Sequence, residues 1–223
     1  MIKEEQNRTK RANKRTKIET ESTNMNRITQ LDPASATGKA KQLFDGVQAK
    51  LGIVPNLFRV FGNSPAALEG YLNFSGSLAG GVLNAKVREQ IALAVAEIND
   101  CTYCRSAHTY IGGKVGLSEK EMADARKVSA TDEHTAAILN LARSIVVQRG
   151  LLSEAEFKAA RAAKLTDAEI VETTANVALN ILTNYVNHVA QTVVDFPEVK
   201  STAAESAAAT PAAACSTDGC ACA

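Results

Sequence analysis

From Ala36 onward apolar residues recur at three- and four-residue spacing, and no stretch alternates apolar and polar residues as a half-buried strand would. The pattern predicts helices over residues 36–50, 64–79, 84–99, 102–114, 118–127, 132–149, 153–163 and 166–193. Local capping signals mark their starts. Ser64-Pro65 pairs an N-cap with proline at the first helical position, where the missing N–H costs nothing. Asn84 is placed to cap the next segment. Ser118 with Glu121, Ser153 with Glu156 and Thr166 with Glu169 form capping boxes, in which each partner satisfies the other's free backbone N–H. Gly150 and the Gly112-Gly113 pair read as helix ends or breaks. The fold class expected is all-α, a helical bundle.

The two ends lack this pattern. Residues 1–27 hold eight Lys/Arg and four Glu with almost nothing apolar, and are expected to be a disordered basic tail. Met25 is the candidate true start, and a nucleic-acid arm is the rival reading. Residues 201–214 are an Ala/Ser/Thr linker leading to Cys215, Cys220 and Cys222. The expected domains are therefore a tail over 1–27, a helical body over 28–200, and a linker with cysteine tail over 201–223.

Composition sharpens this picture. Of 223 residues 45% are hydrophobic, but only 4% are aromatic and none is Trp, so the core must be aliphatic and alanine-rich, which suits close-packed helices. A net charge of +1 points to no nucleic-acid partner. No run of 18 apolar residues predicts a transmembrane helix, and no apolar segment follows the basic start as in a secretory signal, so a cytoplasmic protein without a membrane partner is expected. Five cysteines, two of them in Cys-x-x-Cys and three at the extreme end, do not resemble a secreted disulfide framework.

The chemistry concentrates in one stretch: Glu89, eleven residues, Cys101-Thr102-Tyr103-Cys104, three residues, His108. On a helix Cys101, Cys104 and His108 share a face, and Cys104 and His108 are one turn apart, within reach of a proton passed directly or through one water. A thiolate is the nucleophile of cysteine chemistry, and an ordinary thiol with pKa about 8.5 is scarcely ionised at neutral pH. A helix N-terminus favours the anion, His108 can take the proton, and Glu89 can orient the imidazole. Attack on a peroxide yields a sulfenic acid, which a second thiol converts to a disulfide. The competing readings are a zinc half-site, short of the usual four ligands, and two inert buried cysteines.

Glu-x11-Cys-x-x-Cys-x-x-x-His resembles the signature of the alkylhydroperoxidase D-like branch of the carboxymuconolactone decarboxylase family. Gly52-Ile53-Val54-Pro55-Asn56-Leu57, Asn63-Ser64-Pro65 and Asp195-Phe196-Pro197 resemble its flanking landmarks, so the likeness runs from about Ala36 to Pro197. Tyr103 stands where some members carry a second histidine. The resemblance implies an alkylhydroperoxidase D-like helical bundle. It further implies a peroxiredoxin-type oxidoreductase that reduces hydroperoxides through Cys101 and Cys104 without haem, flavin or metal cofactor. A dithiol reductant protein, lipoylated or thioredoxin-like, and a homotrimer or hexamer come with it. Helix-dipole logic favours Cys101 as the attacking thiol, whereas the resemblance and the one-turn pairing with His108 favour Cys104. The catalytic set taken forward is Cys104 as peroxidatic thiol, Cys101 as resolving thiol, His108 and Glu89.

Rival functions are a lactone decarboxylase-like enzyme, against which the cysteine pair argues, and a non-enzymatic redox or soft-metal-binding protein using Cys215, Cys220 and Cys222. Several other polar residues have both functional and structural readings. Asn176, Asn180, Asn184 and His188 make a stripe, read as internal hydrogen bonding before an active-site wall. Tyr103 is read as packing, His134 as surface, and Glu97 as an ordinary helix residue before a substitute for Glu89. Finally, Asn84 to Glu89 aligns with Asp167 to Glu172 at an offset of 83, and Asn184, Asn187 and Gln191 then fall on Cys101, Cys104 and His108. That register suggests a duplicated helical unit in which one copy kept its thiols; chance likeness of two amphipathic helices is the alternative.

Overall fold

The computed structural model describes residues 26–202. Cys215, Cys220, Cys222 and Met25 lie outside the described residues, as does most of both expected tails. Of those tails, Asn26 and Arg27 are in place: the Asn26 side chain accepts from Val193 N–H at 2.9 Å, and Arg27 N–H donates to Ala190 at 2.7 Å. Thr202 is likewise bonded to the body at the other end.

The described residues are helical without strands, in the order α1 (Gly38–Leu51), α2 (Asn56–Phe61), α3 (Pro65–Leu78), α4 (Ala85–Ile98), α5 (Thr102–Lys114), α6 (Glu119–Arg126), α7 (Glu133–Gln148), α8 (Glu154–Ala162) and α9 (Asp167–Ala190). Caps fall where the side chains predict them. Ser64 and Asn84 accept the N–H of Ala67 and Val87, and all three capping boxes close in both directions. The short helix α2, which the periodicity does not reveal, follows Pro55. Gly112 and Gly113 do not break α5; they lie within it. Gly112 is there for room, since a Cβ would sit 2.9 Å from Met122 Sδ. The turn after α5 falls instead at Gly116, whose φ of +87° suits glycine.

α4 is the hub of the bundle and packs on α5, α6, α7 and α9. Its residues from Gln90 to Ala96 are buried without interruption, which requires the run of small and aliphatic side chains seen in the sequence. Two apolar clusters flank it. One, with Ile91, Leu93, Ile138, Leu139 and Val177, ties α4 to α7 and α9. The other, with Phe44, Phe58, Phe61 and Leu68, fills the space under α1 to α3 and contains Cys101, Tyr103 and Cys104. Each large aliphatic group so buried contributes about 1.5–3 kcal/mol.

The chain then closes over the site. Asn56 binds Asp195 through its backbone N–H and Val193 through its side chain, at 2.8 and 3.1 Å, and Phe196 packs edge-on against Tyr103. Further on, Val199 N–H donates to Ser106, and Thr202 donates to Glu97 from both N–H and hydroxyl, at 2.6 and 2.8 Å. Glu97 is therefore a half-buried junction, also bound by Arg126 at 3.0 Å and facing Arg105 at 3.7 Å, not a reserve for Glu89.

Candidate active site

α4 ends and α5 begins with no residue to spare. Asp100 adopts the left-handed conformation, φ +50°, and Cys101 N–H reaches back to Ala96 C=O at 2.9 Å, the pattern of a Schellman stop. Cys101 is at once the N-cap of α5: its Sγ accepts the N–H of Cys104 at 3.4 Å. One residue thus terminates one helix, starts the next and sets its sulfur beside the second thiol. Both thiols are free and buried, so Cys101 is not the more exposed of the two.

The pair is electrostatically unequal. The Cys101 side-chain hydrogen bond to Cys104, with burial second, pushes Cys101 well above the usual thiol range. Cys104 is held below it: the bond from Cys101 acts first, burial opposes, and the side chains of Asn187, Asn184 and Thr183 add to the lowering. Of the two, Cys104 is therefore the more readily ionised, with the Cys101 thiol as its donor. Asn187 Nδ2 donates to Cys104 Sγ at 3.3 Å, and Thr183 Oγ1 lies 4.0 Å away.

Glu89 on α4 and His108 on α5 are joined, Oε2 to Nδ1, at 2.7 Å. Burial works against the imidazolium, but the charge and hydrogen bond of Glu89 outweigh it and hold His108 above the ordinary histidine value. With Nδ1 committed to Glu89, Nε2 is the nitrogen left to exchange a proton. Among the described residues His108 makes no direct hydrogen bond to either sulfur. His108 and Cys104 instead line one cavity of about 420 Å³, with Tyr71, Tyr103, Thr183 and Phe196 among its walls. A second cavity, about 460 Å³, holds Arg88, Glu89, Asn176 and Asn180 and shares Tyr71, His108 and Thr183 with the first. His108 therefore stands between the chamber that holds Cys104 and the one that holds the Glu89 carboxylate.

The structure brings all four expected residues, Glu89, Cys101, Cys104 and His108, to this corner. The asparagine stripe divides. Asn176, Asn180 and Asn184 are buried, but His188 points to solvent. Asn184 accepts from Asn99 at 2.9 Å and stands beside the thiol, so this part of the stripe is a wall of the site. Tyr103 packs as expected, and its hydroxyl accepts Leu57 N–H at 3.1 Å. His134 is half-exposed and bound to Glu169 at 2.7 Å, away from the thiols. Sequence reasoning missed Tyr71 and Thr183, which carry no motif, and missed Asn187 as a direct partner of Cys104, although the repeat register had paired these two. Among the described residues no group of three or more His, Cys, Asp or Glu is arranged to hold a metal ion, and no helix is long and apolar enough to cross a membrane.

A helical bundle with a Cys-x-x-Cys at a helix start and a Glu–His pair behind it defines an alkylhydroperoxidase D-like architecture. Residues 65–148 match the carboxymuconolactone decarboxylase family. Among solved structures it is similar to the alkylhydroperoxidase AhpD core of an uncharacterized peroxidase-related protein from Ralstonia eutropha JMP134. That likeness has a TM-score of 0.67 and 24% identity over 77% of this chain and 93% of the other. A peroxidase-related protein from Silicibacter sp. TM1040 aligns at TM-score 0.66 and 22% identity, over 77% of this chain and 94% of that one. A variant of the debrominase Bmp8 in complex with 2,3,4-tribromopyrrole aligns at TM-score 0.66 and 17% identity, over 76% and 91%. No curated protein matches the chain.

Proposed function

We propose that the protein is a thiol-dependent peroxidase that reduces hydroperoxides through Cys104 and Cys101. The observation that carries this reading is the inequality of the pair: a lowered Cys104 in an apolar chamber, with a protonated Cys101 beside it. Cys104 thiolate attacks the distal oxygen of a hydroperoxide; the S–O bond forms, the O–O bond breaks, and Cys104 becomes a sulfenic acid. The alkoxide leaves with the proton that His108 Nε2 had taken from Cys104 through a water, Glu89 stabilising the imidazolium meanwhile. Cys101 then attacks Cys104; the S–S bond forms, the S–O bond breaks, and water departs with the Cys101 proton.

The disulfide returns to the dithiol by exchange with a reductant carrying two thiols, of lipoylated or thioredoxin type. Leu182, Tyr185 and Val189 form an exposed apolar strip on α9 that supports self-association, and a homo-oligomer belongs to this reading. A lactone decarboxylase would have no use for the thiol pair. The test is peroxide turnover with a panel of dithiol reductants. Wild type should turn over, and Cys104→Ser should lose activity entirely. Turnover that survives Cys104→Ser would refute the assignment.

A further inference from the structure

Cys104 is flanked by two amides whose hydrogen-bonding capacity is not used up. Asn187 donates from Nδ2 to the sulfur, while its Oδ1 is buried with no partner. Asn184, fully buried, spends its Oδ1 on Asn99 and also favours the Cys104 thiolate, yet its Nδ2 completes no hydrogen bond. Orphaned buried polar atoms are rare because each forfeits its hydration without return. Here one donor and one acceptor are orphaned around the same sulfur, on residues one helical turn apart on α9.

A thiolate cannot use both, since it accepts but does not donate. A sulfenic acid can. Its oxygen accepts one hydrogen bond and its O–H donates one. We propose that Asn184 and Asn187 bind the oxygen that Cys104 acquires: Asn184 Nδ2 donates to the sulfenic oxygen, and the sulfenic O–H donates to Asn187 Oδ1. Both are substrate-oxygen-contacting residues of the oxidised enzyme. The pair holds the S–O bond in place until Cys101 attacks, and by keeping the acid protonated it withholds the more nucleophilic sulfenate, whose sulfur a second peroxide would oxidise to the irreversible sulfinic acid. This inference rests on the peroxidase reading above and extends it to the intermediate.

The experiment removes the resolving thiol so that the intermediate accumulates. Cys101→Ser protein is treated with one equivalent of tert-butyl hydroperoxide. The Cys104 sulfenic acid is trapped with dimedone at intervals, and intact mass spectrometry separates it from the sulfinic acid formed on adding a second portion of peroxide. Adding Asn184→Leu or Asn187→Leu, each similar in volume, should shorten the sulfenic lifetime about five- to tenfold, the worth of one such hydrogen bond. Because lifetime is read after sulfenylation is complete, a change in thiol pKa does not enter it. Thr173→Val, on the same buried helix but outside both chambers, controls for loosened packing and should leave the lifetime unchanged. Equal shortening by Thr173→Val, or unchanged lifetimes in both asparagine variants, would overturn the inference while leaving the peroxidase reading intact. Failure of Cys101→Ser protein to form any sulfenic acid would overturn both. If the leucine variants do not fold, melting decides. The Cys101→Ser protein with both asparagines should melt no lower after sulfenylation than before, and a drop would show that the new oxygen is unsatisfied.

Discussion

Glu89 and His108 meet at 2.7 Å across the corner between α4 and α5, nineteen residues apart. Their union fixes which ring nitrogen faces the thiol chamber and sets the sign of the site's response to pH. His108 is raised above about 6.5, its unfolded value. The stability its charge contributes is therefore fully present below that pH and is lost as pH rises through the folded value. Glu89→Gln removes the carboxylate but not the burial, so the His108 pKa should fall below the ordinary histidine range. An NMR titration of the imidazole in the two proteins would show it; superimposable curves would exclude Glu89 from the relay.

The hydrogen bond from the Cys101 thiol does most to lower Cys104. Cys101→Ala should therefore move the thiolate titration of Cys104 upward, whereas Cys101→Ser, which keeps a donor, should move it less. Ultraviolet thiolate absorbance against pH reads both. Removing the hydrogen-bond donor at Asn187 should act in the same direction.

Glu97 gathers Arg126, Arg105 and Thr202 in a half-buried place. Burial raises its pKa, but Thr202 and Arg126 together bring it below the ordinary carboxylate value. The stabilisation it supplies is present above the unfolded pKa and is lost as pH falls through the folded one. Glu97→Ala should cost about 1–3 kcal/mol, since it removes an acceptor from both guanidinium groups while Asp100 still faces Arg105 and the Lys200 carbonyl still faces Arg126. Chemical denaturation near neutral pH should show that loss, and the gap to wild type should narrow in acid.

Gly62 has no unusual φ, yet a Cβ there would lie 2.3 Å from the Phe44 ring, which is 1% exposed. Gly62→Ala should destabilise by about 1–3 kcal/mol through overpacking, and Gly46→Ala, with open space around it, should not. A thermal melt of the two variants separates them.

The parts of this protein readable from its sequence are those whose physics is local. Capping pairs such as Thr166 and Glu169 act within one turn, so the residues that name the helix also build it. Cys101, Cys104 and His108 lie on consecutive turns, and their convergence needs only a helix. α2 escaped because six residues cannot display a period. The role of Glu97 escaped because its partners arrive from α5, α6 and the closing segment. The repeat register foresaw that Asn187 corresponds to Cys104, and the two are in contact. The second copy nevertheless differs: α9 is unbroken where α4 and α5 are separated, and Glu172 accepts Val82 and Leu83 N–H groups where Glu89 holds a histidine. Periodicity cannot say whether a helix bends, and that bend is what creates a cap for a cysteine to occupy.

A helix start is ordinarily secured by a small oxygen-bearing side chain, and sulfur is a weaker acceptor. In Cys101 the atom that ties down the first turn of α5 is also the atom that, on the proposed peroxidase reading, would bond Cys104. Closing the disulfide would then strain that cap and reduction would relax it. The tightness of the helix start would become a record of how many electrons the protein holds, written in its backbone.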